Sequence, residues 1–522
     1  MSMTGSAPPG DSAPNHDGDS LLQRLLLPLD ILQTDCLHTH HWTLILAATS
    51  LSLFFIFKKT QKRLPPGPWT WPVIGHINYF RNKPHIKLSN LKEKYGDIYQ
   101  LRLGTHNVVI ACSLDAVLEG LIHKGVDFSG RPDFEVCHIL YNGNRHQGIS
   151  TADYDEKTVM KKNFLDFSLD VYCSSSDNIE DVVAADILEV VNKFVETDKP
   201  LDPFYSLESA CLNIMTRLAY GQRFDPAGRV MQEILSTFHA RNFAKCFHAV
   251  DYVPFLKAFS PREDLEFVQE KTLQQILYQR KIMNVHKDSY DPGSIRDMMD
   301  HLLLYLETGE DHGLMEKGDI DFLMMDFANS GYETTAVVLT WLLGYMAMNP
   351  DIQVKVQEEL DGIVGNDRLP SLQDQPYLPY TSAVIFEAER LASVYPFLQP
   401  HVARDNCKLQ DFDIAEGTIL LLNVWSIHHD SRYWKHPMKF NPNRFLTDEN
   451  SLEIPDHFLP YGAGTRRCPG ESLAEIMLFL FFSTIMHQLT VKSATKNFCL
   501  EGEYDFIIRP HPFALVFEER EG

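Results

Sequence analysis

Basic residues are scarce in this chain, and none of its cysteines are paired at metal-binding spacing. Forty-seven Lys and Arg stand against 70 Asp and Glu, a formal net charge of −23 over 522 residues. A nucleic-acid backbone selects basic surfaces, so no nucleic-acid partner is expected. Solubility alone accounts for the acidity. The nine cysteines (Cys36, Cys112, Cys137, Cys173, Cys211, Cys246, Cys407, Cys468 and Cys499) are scattered, odd in number and without a Cys-x-x-Cys pair. That is neither a disulfide framework nor a zinc site, and it points to a reducing compartment for the body of the chain. The sequence also lacks a Gly-x-x-x-x-Gly-Lys loop, a His-Glu-x-x-His pair and a Gly-x-Ser-x-Gly turn, together with the chemistries those motifs carry. His428-His429-Asp430 and the group His38, His40 and His41 have no ligand spacing that argues for a metal. There is no internal repeat and no low-complexity segment.

What is present begins with an apolar run. From Trp42 to Phe57 no charged residue interrupts a stretch rich in Leu, Ile, Ala and Phe. As a helix these 16 residues would reach about 24 Å, a little short of the ~27 Å hydrocarbon core of the endoplasmic reticulum. Snorkelling by Lys58 and Lys59 can cover the difference. The alternatives are a cleaved signal peptide, which the long acidic tail argues against, and a buried core helix. Lys58, Lys59, Lys62 and Arg63 follow the run, whereas Asp11, Asp17, Asp19, Asp30 and Asp35 precede it. The positive-inside rule then leaves everything after Phe57 in the cytosol. The expected organisation is a lumenal, disordered tail over 1–41 and a transmembrane anchor over 42–57. A basic stop and proline-rich hinge follow over 58–68, then a body over 69–522. Within the tail, Leu21 to Leu32 is apolar enough to offer a membrane-lying alternative to disorder.

In the body, Ile98-Tyr99-Gln100-Leu101-Arg102-Leu103 and Val108-Val109-Ile110-Ala111 read as strands, and helical periodicity dominates from about Ile179 onward. A length of 522 residues allows two or three ordinary domains or one large one. The expected fold class is mainly α with a small β-rich subdomain near its front.

The most specific feature is Tyr461-Gly462-Ala463-Gly464-Thr465-Arg466-Arg467-Cys468-Pro469-Gly470. A lone cysteine is ordinarily an inert buried side chain. Here glycines let the backbone curl close to a flat ligand, Pro469 suits a first helical turn, and Leu473 to Leu480 continues as an apolar helix. Free N–H groups at that helix start, with Arg466 and Arg467, would hold the sulfur as a thiolate, which is what an oxygen-activating haem iron requires. This run resembles the haem-binding loop of the cytochrome P450 family, Phe-Gly-x-Gly-x-Arg-x-Cys-x-Gly, with Tyr461 in place of the usual Phe. The added hydroxyl must find a partner.

The resemblance extends over about Pro65 to Phe517 and implies a cytochrome P450 fold, preceded here by one N-terminal transmembrane helix, with 69–522 as the catalytic domain. It implies haem b with Cys468 as the iron ligand. Arg131, His401 and Arg466 are the implied propionate partners. The family's Trp-x-x-x-Arg element falls on Thr158 and Lys162, so a lysine point charge replaces the arginine fork. Asp319 to Met348 reads as a long apolar helix interrupted by Ser330-Gly331-Tyr332-Glu333-Thr334-Thr335. A buried helix with a packing notch would look the same. The resemblance makes it the segment facing the oxygen site, with Thr334 the hydroxyl and Glu333 the carboxylate of a proton supply. Asn329 and Ser330 would then lie at the ceiling, Asn329 where close relatives tend to have glycine. Val394, Tyr395, Phe506 and Ile507 are candidate walls, though core packing explains them equally.

Glu387 and Arg390 could be an ordinary exposed helix pair. Both match the family's Glu-x-x-Arg element, and Arg444 matches the arginine that joins it into a buried scaffold. Lacking a flavin or nicotinamide fold of its own, the chain would receive electrons from another protein. NADPH–cytochrome P450 reductase is the implied donor, with cytochrome b5 as an accessory one, at a basic face of Lys161, Lys162, Arg466 and Arg467. The Ser129–Asp133, Met348–Pro350 and Pro396–His401 stretches look most like the animal group of steroid 17α-hydroxylases and aryl-hydrocarbon hydroxylases. The expected activity is monooxygenation of a lipophilic substrate at the endoplasmic reticulum membrane. The alternatives are a haem-thiolate isomerase or dehydratase of oxygenated lipids, and a non-catalytic haem- or sterol-binding relative.

Overall fold

Two β-branched and aromatic runs turn back on each other at Gly104, whose positive φ of 55° is the backbone conformation that favours glycine in a tight turn. They are strands β1 (Ile98–Leu103) and β2 (His106–Ala111), antiparallel, with Leu101 opposite Val108. The computed structural model describes residues 46–50, 63–173, 176–197, 199–244, 249–253, 263–496 and 498–520. Residues 1–62 and 63–522 form separate units. In the first, 46–50 are helical; the expected tail and the rest of the 42–57 anchor lie outside the described residues. Among those that are described, no helix is long and apolar enough to cross a membrane.

The second unit is mostly helical. The helices that build the site are α1 (Glu156–Cys173), α2 (Phe204–Tyr220), α3 (Lys317–Ser330), α4 (Glu333–Met348) and α5 (Pro379–Ala392). Strands β3 (His401–Val402) and β4 (Ile419–Leu422) complete a sheet of order β1-β2-β4-β3, in which β4 runs parallel to β2 and antiparallel to β3. Helix α6 (Glu471–Gln488) and a hairpin of β5 (Gly502–Asp505) and β6 (Ile507–Pro510) close the unit. Helices α4 and α6 are apolar almost all round, the pattern of a helix with no solvent face, and α2 is buried along most of its length. Leu212, Leu342 and Phe481 from these three helices are fully buried in the largest apolar cluster.

Residues 63–68, the described part of the expected hinge, are tied to the body. The Arg63 amide donates to Asp413 Oδ2 at 2.7 Å, and the Gln100 amide donates to the Pro66 carbonyl at 2.7 Å. Gly67 lies so close that a Cβ there would sit 2.1 Å from the Gln100 carbonyl oxygen.

The helix expected over 319–348 is two helices, α3 ending at Ser330 and α4 starting at Glu333. A Cβ on Gly331 would meet the Met215 sulfur at 2.6 Å, so the packing notch is real and α2 fills it. The carbonyls at the break find new donors. Thr334 Oγ1 donates to the Ser330 carbonyl at 3.0 Å and Thr335 Oγ1 to the Gly331 carbonyl at 2.8 Å, the back-bonding typical of threonine in helices.

Candidate active site

One cavity of about 450 Å³ is lined by Cys468 from the glycine-rich loop, Glu333 and Thr334 from the start of α4, and Arg131, Lys162, His401 and Arg466 from the flanks. Asn329, Ser330, Val394, Tyr395, Phe506 and Ile507 line it too. The residues selected by sequence as ligand, oxygen-site and wall positions therefore face a single space.

The loop that carries Cys468 curls as its glycines allow. Gly462 and Gly464 have φ of 72° and 69°, and a Cβ on Gly464 would lie 1.9 Å from the Leu121 carbonyl oxygen. The Cys468 amide donates to the Tyr461 carbonyl at 3.1 Å. Helix α6 starts at Glu471, with Gly470 as its N-cap, so Pro469 lies just ahead of the first turn instead of within it.

Cys468 is exposed to the open cavity, yet the protein packed around it desolvates the thiol and pushes it up to about 11, outweighing the Gly470 N–H that pulls it down. Neither neighbouring arginine supplies the missing stabilisation. Arg467 is paired with Glu471 at 2.5 Å, and Arg466 turns away to donate to the carbonyls of Ser129 and Ala152, both at 2.7 Å. A bound metal would remove that thiol's proton outright.

The flanks fit a ligand that brings its own anions. Arg131 is buried and its guanidinium donates only to carbonyls, of Ser150 at 3.0 Å and Pro400 at 2.9 Å. Burial and then the charge of Arg466 hold its pKa well below the ordinary value, and burial pulls Arg466 down to about 10. Neither guanidinium has an ion-pair partner among the described residues. Two cations crowded together at a cavity wall are costly unless an anion joins them, and haem propionates would supply it. Beside them His401 is held well below its usual pKa, by burial first and by Arg131, with Nδ1 2.8 Å from the Phe128 carbonyl oxygen. Lys162 is less available, because its Nζ already donates to Asp166 at 2.5 Å. Thr158 is buried along the same wall.

The basic docking face does not form as expected. Lys161 is fully buried, donating to Asp319 at 2.6 Å and to the carbonyls of His146 and Gln147. It locks α1 to the N-terminal capping box of α3 and cannot meet a partner protein. Lys162 and Arg467 are neutralised by Asp166 and Glu471, and Arg466 points inward.

At the ceiling, Glu333 is buried and ion-paired with Arg509 of β6. The Asn329 side-chain oxygen accepts from Gln275 Nε2 at 2.9 Å, which aims the remaining amide group elsewhere. Tyr395 meets Phe506 edge-on at 5.2 Å. Phe506 has φ of 63° at the tip of the β5–β6 hairpin, a strained conformation for an aromatic residue, and the Ile508 amide pins that tip to the Val394 carbonyl at 2.8 Å.

Behind the loop, Arg390 grips Glu387 through two bonds of 2.6 and 2.9 Å, and Arg444 donates to the same carboxylate at 3.1 Å. Glu387 and Arg390 are fully buried. Arg390 also donates to the carbonyls of His428 and Pro437, and lies over the Trp434 ring at 5.0 Å. This is a buried network, not an exposed helix pair. His428 and Asp430 belong to the same framework: His428 Nε2 accepts from the Leu459 amide at 3.0 Å, and Asp430 pairs with Lys92 and Arg432.

Three contributors escaped the sequence. Asp326 lines the cavity and accepts from the Tyr141 hydroxyl at 2.6 Å and the Ile149 amide at 2.8 Å. Its position one helical turn before Ser330 was the available signal. Arg509 and Glu389 had none beyond their charge.

The family model for cytochrome P450 matches residues 65–517. Cytochrome P450 2U1 of Bos taurus is 30% identical, covering 97% of this chain and 98% of its own length. The Homo sapiens protein of the same name is also 30% identical, covering 98% and 99%. Cytochrome P450 1A1 of Rattus norvegicus is 30% identical, covering 85% of this chain and 89% of its own. The chain belongs to the cytochrome P450 family, haem-thiolate monooxygenases whose iron is held by a cysteine sulfur.

Proposed function

We propose that this protein hydroxylates a lipophilic substrate, a steroid or a planar xenobiotic, at the endoplasmic reticulum membrane. Electrons come from NADPH–cytochrome P450 reductase, with cytochrome b5 as an accessory donor, and the catalytic domain faces the cytosol. The observation that carries the reading is that Cys468 and the Glu333-Thr334 pair line the same largely apolar cavity. The asymmetric charges around 42–57 support the membrane orientation.

Cys468 would bind the iron, and Arg131, His401 and Arg466 would hold the propionates. When bound, haem supplies the redox chemistry that activates dioxygen, a reaction that consumes protons. Thr334 gives its own proton to the Ser330 carbonyl, which leaves its oxygen lone pairs free to accept from a water in the cavity. Glu333, the residue before Thr334, is clamped by Arg509. Arg509 is partly exposed, so opening the clamp connects Glu333 with solvent and lets it pass a proton towards Thr334. Val394, Tyr395, Phe506 and Ile507 exclude water from the substrate, and Asn329, steered by Gln275, offers a hydrogen bond to a polar substituent. Glu387, Arg390 and Arg444 keep the ligand loop in place.

The test is a reconstituted assay with reductase, NADPH and a panel of steroids, fatty acids and polycyclic aromatics, preceded by spectral-shift binding. Oxygen consumption coupled to a hydroxylated steroid or aromatic supports the proposal. Product formation that needs no NADPH would replace it with an isomerase or dehydratase.

A further inference from the structure

Tyr461 stands where the family pattern has phenylalanine, and its extra oxygen is not idle. The hydroxyl donates to Glu389 Oε1 at 2.7 Å. Glu389 sits on α5 between the network residues Glu387 and Arg390, and is only 4% exposed. Its second oxygen, Oε2, is buried with no hydrogen-bond partner among the described residues. Among the described residues no cation compensates it, for Arg390 is committed to Glu387 and two carbonyls, and Arg467 to Glu471. The charged groups that act on it, Glu475 and Glu471 of α6, are acids. Burial, followed by these acids, pushes the Glu389 carboxyl up to about 8 despite the Tyr461 hydroxyl. A buried acid left half-satisfied is expensive, and Tyr461 is the residue that mitigates it.

The other end of Tyr461 reaches the ligand residue. Its carbonyl accepts the Cys468 amide at 3.1 Å. Two consecutive hydrogen bonds therefore link α5 to the backbone of Cys468. Hydrogen bonding around a ligating sulfur sets how strongly it donates to iron, and so the iron's potential.

We propose that the Tyr461 hydroxyl and Glu389 are positioning residues that fix the ligand loop against α5 and thereby set the electron donation of the Cys468 sulfur. This rests on Cys468 being the iron ligand. A residue that only packs would affect melting and haem retention and leave the electronic properties of the iron untouched.

The experiment uses the haem-loaded full chain as wild type, Tyr461→Phe, Glu389→Leu and Glu389→Gln. It measures the midpoint potential by spectroelectrochemistry and the iron–sulfur stretch by resonance Raman, with haem content and melting as controls. Tyr461→Phe is expected to shift both signals at full haem content, and Glu389→Leu to shift them in the same direction. Glu389→Gln keeps a carbonyl acceptor for the hydroxyl and is expected to return both close to wild type. Should Glu389→Leu fail to fold, Tyr461→Phe carries the test alone, since it removes one oxygen and installs the family's usual residue. A Tyr461→Phe protein with unchanged potential and unchanged stretch overturns the proposal. So does a shift in Tyr461→Phe that a folded Glu389→Leu does not share. Absence of any iron–sulfur band in the wild type would instead sink the ligand assignment beneath it.

Discussion

Glu387 and Glu333 are both buried carboxylates beside an arginine, yet they are held in different ways. Glu387 receives two bonds from Arg390, one from Arg444 and a fourth from the Asn441 amide at 2.8 Å, and Arg390 is wholly enclosed. Glu333 meets Arg509, whose side chain keeps 29% of its exposure. The first arrangement resists opening, because every donor and acceptor would have to be broken together. The second is tied to a partly exposed arginine, and the proposed proton route requires it to open. On the proposed roles, the framework beneath the cavity floor is built for rigidity and the ceiling for exchange.

Several substitutions probe that contrast. The largest effect is expected on the floor: Arg444→Ala leaves Glu387 short of one charged donor, costs about 3 kcal/mol and abolishes haem retention, which haem content after purification would show. A fully loaded variant would mean that the network is dispensable. Thr334→Ala at the ceiling should leave folding and haem content alone while lowering coupled product formation about a hundredfold, the usual contribution of a positioned proton donor. If it lowered haem content instead, ceiling and floor would not be separable.

Glu389 gives a pH signature to the floor. Its folded pKa is raised from 4.5 to about 8, so the folded state holds a proton that the unfolded chain has already released. Stability therefore falls as pH rises through that interval and levels off above it. Glu475 acts in the same sense up to about 6 and Asp251 up to about 7, as do the raised imidazoles of His239 and His286. The share of Glu389 is therefore the difference between wild type and Glu389→Gln. Between pH 6 and 8, denaturant titrations should show a decline steeper by on the order of 2 kcal/mol in the wild type than in Glu389→Gln. The smallest effect is expected from Asn329→Gly, a few-fold loss of affinity for ligands with a polar substituent and none for apolar ones, read by binding spectra. Equal affinities throughout would remove Asn329 from substrate recognition.

The floor was far more legible in the sequence than the ceiling. Its parts are local: glycines flanking Cys468, an acid and a base one turn apart at Glu387 and Arg390, and an arginine in a short proline-rich element. Tyr461 was visible as a hydroxyl in need of a partner, but Glu389, 72 positions away, could not be named without the fold. Arg509 lies 176 positions from Glu333, and only the β5–β6 hairpin brings them together. The interrupted helix was readable from Gly331 and the adjacent threonines, whereas the reason for its break, Met215 from α2, was not. The expected basic face failed for a related reason. Lysines and arginines counted along a chain reveal nothing about which ones a neighbouring Asp or Glu neutralises, or which, like Lys161, end up inside.

All of this depends on a sulfur–iron bond at position 468. X-ray absorption at the iron edge of the hemin-loaded protein reports that bond directly. One sulfur neighbour in the wild type, lost in Cys468→Ser, is the predicted result. Iron surrounded by nitrogen and oxygen alone in the wild type, or a sulfur neighbour that persists in Cys468→Ser, would contradict it.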